Sequence, residues 1–153
     1  MSSSFERIAE CKGDWIGRYV LQDPTNNIAD DSESSLSVVP VLFGRFVRVD
    51  YNWSYQGKPQ EGSILIGRNP KSGDVTAHWI DTWHNGQGAM ASTGADSDGN
   101  SLELRGSYAA PPGPDWGWRT VITPGSGSFD VVMYNVWPEG KEEIAAEMRY
   151  TAA

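Results

Sequence analysis

Gly13-Asp14-Trp15-Ile16-Gly17-Arg18-Tyr19 sets the reading of this chain. From Gly13 the hydrophobic period is two. Trp15, Gly17, Tyr19 and Leu21 fall on one face, and Asp14, Ile16, Arg18 and Val20 on the other. That is the alternation of a half-buried strand. The same alternation closes the chain at Glu147-Met148-Arg149-Tyr150. Asp23-Pro24-Thr25-Asn26-Asn27 ends the first strand with turn chemistry.

Further strands are predicted at Leu36–Val41, Arg45–Tyr55, Gly62–Arg68, Asp74–Trp83, Gln87–Ala95, Leu102–Tyr108, Trp116–Ile122, Phe129–Val136 and Glu142–Thr151. The acidic stretch Ile28 to Ser35 reads as a loop, and His84-Asn85-Gly86 as a tight hairpin turn, because Asn-Gly favours type I′. Asp96-Ser97-Asp98-Gly99-Asn100 lacks the later glutamate of a calcium loop and reads as a turn. Before the first strand, Phe5, Ile8 and Ala9 share one side of a short helix that could plug a barrel end. Strands joined almost throughout by short turns predict an all-β fold. It is a roughly ten-stranded antiparallel up-and-down barrel with a short N-terminal helix, in one domain spanning residues 1–153. A two-sheet sandwich would need longer crossings.

Composition narrows the functions. The chain has 153 residues and a net charge of −8, with its arginines scattered singly. Phosphate backbones and anionic membrane surfaces call for clustered cations, so neither nucleic acid nor a membrane is an expected partner. Cys11 is the only cysteine, which rules out an intrachain disulfide. Met1 to Arg7 carries no apolar run, and the expectation is a soluble cytoplasmic protein. His78 and His84 are the only histidines and lack ligand spacing, so no metal site is expected. No Gly-x-Ser-x-Gly or phosphate-cradling loop is present.

Aromatic residues carry the functional signal. Seven Trp, six Tyr and four Phe are more than core filling demands in so short a chain. Trp79, Asp81 and Trp83 alternate in phase on the fifth predicted strand. With the indoles pointing inward, Asp81 would sit in an apolar cavity with its pKa raised. Asp81 and His84 are therefore the candidate catalytic groups, Asp81 as an acid or a ligand anchor; an equally simple reading gives Asp81 a structural partner such as a tyrosine. The candidate ligand-binding residues are Tyr19, Tyr51, Trp53, Trp79, Trp83, Trp118 and Met133, with His84 at the rim. Gly117 between Trp116 and Trp118 allows close approach of a ligand or another backbone. Met133 and Met148 would form an adaptable wall.

Gly13-Asp14-Trp15 resembles the Gly-x-Trp opening of lipocalins and other calycins. In those barrels an arginine on the last strand covers the indole, which implies that Arg149 packs on Trp15. Several blocks are similar to the bacterial domain-of-unknown-function family numbered 1579. They are Gly44-Arg45-Phe46 ending in Asp50-Tyr51, Gly57-Lys58-Pro59 with Glu61-Gly62, Trp79-Ile80-Asp81-Thr82, Leu102-Glu103-Leu104-Arg105-Gly106, and Glu147-Met148-Arg149-Tyr150-Thr151. That resemblance covers nearly the whole chain and implies a calycin-like barrel with no established activity. The chain departs from the family pattern at Trp83-His84-Asn85-Gly86 and Trp116-Gly117-Trp118-Arg119, both aromatic-rich. Nitrobindin-like haem barrels ligate iron through a histidine near the C-terminus, whereas the last histidine here is His84, so that analogy implies no histidine-ligated haem; no cofactor is expected.

The leading expectation is binding of a small hydrophobic, aromatic or polycyclic molecule inside the barrel. The alternative is a cofactor-free cyclase or isomerase acting on a polyketide- or terpenoid-like substrate, with Asp81, His84 or a tyrosine as acid/base. A filled barrel with no ligand is the third. Homodimerisation is left open.

Overall fold

Buried and exposed residues alternate along most strands of this chain, and the sheet they form closes on itself. The structure, a computed structural model, describes residues 2–153. A helix α1 (Ser4–Glu10) precedes ten strands: β1 (Gly13–Asp23), β2 (Ile28–Val41), β3 (Phe46–Tyr55), β4 (Lys58–Arg68), β5 (Asp74–Asp81), β6 (Met90–Ala95), β7 (Leu102–Tyr108), β8 (Trp116–Pro124), β9 (Ser128–Val136) and β10 (Glu142–Ala152). Each strand pairs antiparallel with its sequence neighbours, and β1 pairs with β10 to close the barrel. Closure leaves no unpaired sheet edge.

One residue in two points inward. Trp15, Tyr19 and Leu21 of β1 meet Met133, Met148 and Tyr150 from β9 and β10 in one continuous core. Gly17 lies in the same phase, and a side chain there would meet the backbone carbonyl of Arg149 at 1.9 Å from its Cβ. Only glycine allows β1 and β10 to approach so closely.

One end is sealed by α1. Ser3 caps the helix and Glu6 bonds back to the Ser3 amide, a reciprocal capping box. Phe5 and Ile8 are buried beneath it. Asp96 fastens this plug: it accepts from Ser4 Oγ at 2.8 Å, from the Phe5 amide at 2.9 Å and from Arg68 at 3.0 Å. Burial pushes the Asp96 carboxyl up, but the bonds from Ser3, Phe5, Arg68 and Ser4 outweigh it and hold the group well below the usual carboxylate range.

Trp15 is buried at this end, packed against Phe129 with ring centroids 5.8 Å apart. The expected arginine cover is absent from it. Arg149 pairs across the sheet with Arg18, one residue out of phase with the lumen, and its side chain is 56% exposed beside Asp130 and Glu147. The arginine that covers an aromatic at the sealed end is Arg68, whose guanidinium lies 4.9 Å from the Phe5 ring centroid.

Two boundaries differ from the sequence reading. Ile28 to Ser35 is strand, not loop, paired residue for residue with β1 from Asp23↔Ile28 to Gly13↔Val38. Its two buried positions are Ser32 and Ser34: Ser34 Oγ lies 2.7 Å from Tyr150 Oη and donates to the Asn52 carbonyl at 2.7 Å. The fifth strand stops at Asp81, so Trp83 and His84 lie in the connection to β6, which starts at Met90.

Candidate functional site

The end opposite α1 is open, and a cavity of about 650 Å³ lies in it. Its apolar wall is Trp79 from β5, Trp83 from the β5–β6 connection, Trp116 and Trp118 from β8, and Met90 from β6. Polar groups line the rest, among them Asp23, His84, Tyr108, Asn135 and Glu143. The volume lies within the range of small-molecule sites, about 300–1,000 Å³.

The β5–β6 connection is built by one carboxylate. Asp81 is the last residue of β5, and its side chain is fully buried. Its Oδ1 accepts from the amides of Trp83 at 2.8 Å and His84 at 2.9 Å, turning the chain back over the barrel mouth. The same oxygen lies 3.1 Å from His84 Nδ1. Its Oδ2 accepts from Tyr51 Oη at 2.6 Å, and Tyr51 Oη accepts from Trp79 Nε1 at 2.8 Å. Gly62 makes room for this cluster, since a Cβ there would sit 2.2 Å from Tyr51 Oη and 2.9 Å from Asp81 Oδ2.

The carboxyl of Asp81 therefore does not have the raised pKa expected from an apolar site. Burial does push it up, but the bonds and charge from His84 and the Tyr51 hydroxyl outweigh burial and hold it below the usual carboxylate value. Tyr51 is pushed the other way, well above an ordinary phenol, by burial and then by the Asp81 charge.

His84 stands among indoles. Its ring centroid is 4.8 Å from that of Trp83, 5.3 Å from Trp79 and 5.6 Å from Trp118, while Trp79 and Trp118 stack at 5.1 Å. With Nδ1 turned to Asp81, no described residue bonds to Nε2. An imidazole held through one nitrogen with the other free can bind a polar group or move a proton.

The expected residues thus fall into two layers. Trp79, Trp83, His84 and Trp118 line the cavity. Tyr19, Tyr51, Trp53 and Met133 lie below it as core, with Tyr19 and Trp53 stacked at 4.1 Å and nearly parallel. Asp81 is behind His84 rather than on the cavity wall. Three donors in these layers, Tyr19 Oη, Trp53 Nε1 and Trp118 Nε1, are buried without a hydrogen-bond partner among the described residues.

Sequence reasoning missed Asp23, Tyr108, Asn135 and Glu143. Asp23 continues the inward phase of Tyr19 and Leu21, and Asn135 that of Met133, so the alternation already contained both. Tyr108 donates a short hydrogen bond to Asn135 Oδ1 across the mouth. No group of three or more His, Cys, Asp or Glu side chains able to hold a metal is present among the described residues.

A family model described as "Protein of unknown function (DUF1579)" matches residues 2–152. The chain belongs to the DUF1579 family. Comparison with curated proteins gives no significant match. Among solved structures, the crystal structure of Rv2717c from M. tuberculosis superposes on this DUF1579 barrel with a TM-score of 0.65 and 14% sequence identity. The match covers 100% of this chain and 99% of that one. At that identity the likeness concerns the fold alone. No described helix of the DUF1579 barrel is long and apolar enough to cross a membrane.

Proposed function

We propose that this protein binds a small hydrophobic molecule with an aromatic or polycyclic body at the open end of its barrel. The observation that carries the reading is the indole wall. Trp79, Trp83, Trp116 and Trp118 face one cavity of about 650 Å³, with a few polar groups beside them. Flat apolar ligands gain most from such a surface, through burial and offset stacking. The calycin-like opening of the sequence agrees with a ligand-carrying barrel. The single cysteine suits a reducing compartment, and we place the protein in the cytoplasm.

The test is calorimetric titration with 1-naphthalenemethanol. Binding should be weakened by Trp118→Ala and by Trp116→Ala, and left unchanged by the outer-face substitution Arg18→Ala. No binding by the unsubstituted protein, or equal effects of all three changes, contradicts the reading.

One feature favours an enzymatic reading as the alternative: the Asp81–His84 pair, with the free imidazole nitrogen among the indoles. In a cyclase or isomerase His84 would move the proton and Asp81 would position the ring. Product formed from a bound polycyclic substrate, abolished in His84→Ala while binding persists, would support it. Turnover unaffected by His84→Ala would exclude this role.

A further inference from the structure

We infer that the cavity selects a cationic ligand, an amine or quaternary ammonium carried on a flat apolar body, over an anionic one. The inference rests on the binding function proposed above and adds the charge of the ligand. Its starting point is a fault in strand alternation. Along β10, Met148 and Ala146 point inward, so simple alternation would send Glu143 outward with Glu147 and Arg149. Between Ile144 and Ala146 the register with β9 shifts: Met133 pairs with Ala146, Tyr134 with Ile144, and Asn135 with Glu143. Ala145 is the extra residue of a β-bulge, which reverses the phase beyond it. Glu143 is thereby brought into phase with Asn135 and Met133, onto the cavity wall. Glu142 is turned out, where it pairs with Arg119 at 2.8 Å.

Glu143 is half-buried and makes no ion pair or hydrogen bond among the described residues. Asp23 reaches the same rim by alternation along β1, the strand that pairs with β10. It accepts only from the Asn26 amide and side chain. No described lysine or arginine lines the cavity. The nearby cations are committed elsewhere, Arg119 to Glu142 and the Tyr134 ring, and Lys141 to the Trp137 ring. The buried Asp81–His84 pair is neutral or negative in either state of the imidazole, so it adds no net positive charge. Indole faces and unpaired carboxylates in one cavity are the surroundings in which an organic cation is held, by cation–π attraction and by opposite charge.

Three probes of matched shape separate charge from shape: 1-naphthylmethylamine, 1-naphthalenemethanol and 1-naphthoate, titrated calorimetrically at pH 7 and low salt. The amine should bind on the order of tenfold tighter than the carboxylate, with the alcohol between them. E143Q and D23N, each alone, should shrink the amine-to-carboxylate ratio, and far-UV circular dichroism with a melting curve reports that each variant is folded. Naphthoate binding as tightly as the amine, or a ratio unmoved by both substitutions, overturns the charge preference. Binding of the alcohol in that case leaves the proposed function standing. Failure of all three probes to bind removes both.

Discussion

Asp81 orients His84 through a single oxygen: Oδ1 accepts from the His84 backbone amide at 2.9 Å and lies 3.1 Å from its ring Nδ1. One carboxylate thus fixes both where the chain turns and how the imidazole stands at the cavity mouth. Its other oxygen is engaged by Tyr51. Replacing Asp81 by Asn keeps the shape and removes the charge that these donors share. Asp81→Asn should cost about 1.5–3 kcal/mol, the worth of a hydrogen bond to a charged group, and free the His84 ring. Denaturant unfolding reads the first effect, and the ¹⁵N shifts of the His84 ring the second. Unchanged stability with an unchanged ring environment would mean that the carboxylate does not organise this turn.

Gly62→Ala should disturb the same cluster from β4, the strand between Tyr51 and Asp81, because its Cβ would fall 2.2 Å from Tyr51 Oη. Overpacking of this kind costs about 1–3 kcal/mol. The exposed turn glycine Gly57, with φ 79° and nothing within 4 Å of an added Cβ, is the control for backbone strain alone. Chemical denaturation of both variants, with Tyr51 hydroxyl and Trp79 indole shifts followed by NMR, should show displacement only in Gly62→Ala.

The sealed end gives a contrast between two arginines and a tryptophan. Trp15→Ala should cost ~3–5 kcal/mol as a buried aromatic. Arg149→Ala should cost less than about 1 kcal/mol, since its ion pairs are solvated and screened. Arg68→Ala should exceed Arg149→Ala, because Arg68 covers Phe5 and pairs with the nearly buried Asp96. Thermal unfolding of the three variants gives the order directly, and a larger loss in Arg149→Ala than in Arg68→Ala contradicts it.

Stability should fall at both ends of the pH scale. Asp81 and Asp96 have folded pKa values below their ordinary ones. Their contribution is complete above an unfolded value of about 3.9 and is lost as pH falls through the folded values. Tyr19, Tyr51 and Tyr150 have raised values, chiefly from burial. Their contribution is complete below about 10 and is lost as pH rises through the folded values. Melting temperature against pH should show a plateau between these limits, and Asp96→Asn should flatten the acid side. An acid side equally steep in Asp96→Asn would contradict the role given to that carboxylate.

Much of this was legible in the sequence. Alternation along Trp15, Tyr19 and Leu21, and along Trp79 and Asp81, gave both the barrel and the inward faces of its strands. Alternation failed where something other than an apolar side chain governs the local geometry. Between Ile28 and Leu36 the inward phase is Asp30, Ser32 and Ser34, so this strand carries no run of alternating apolar residues. Trp83 is in phase with Trp79 in the sequence, but Asp81 ends β5 by capturing the next amides. Glu143 reaches the cavity through a bulge at Ala145, which no periodic reading would place. The Gly-x-Trp resemblance located Trp15 correctly and assigned it an arginine one residue out of phase.

The central claim is that the open-end cavity, and not the outer surface or the packed floor, receives the ligand. The seven tryptophans should each give one indole N–H signal in a ¹⁵N correlation spectrum, and 1-naphthalenemethanol can be titrated against them. The account predicts saturable shifts at Trp79, Trp83, Trp116 and Trp118, which line the cavity. Trp15, at the sealed end with its Nε1 bonded to the Cys11 carbonyl, should stay unmoved. No saturable shift, or one that moves Trp15 as much as Trp118, would contradict it.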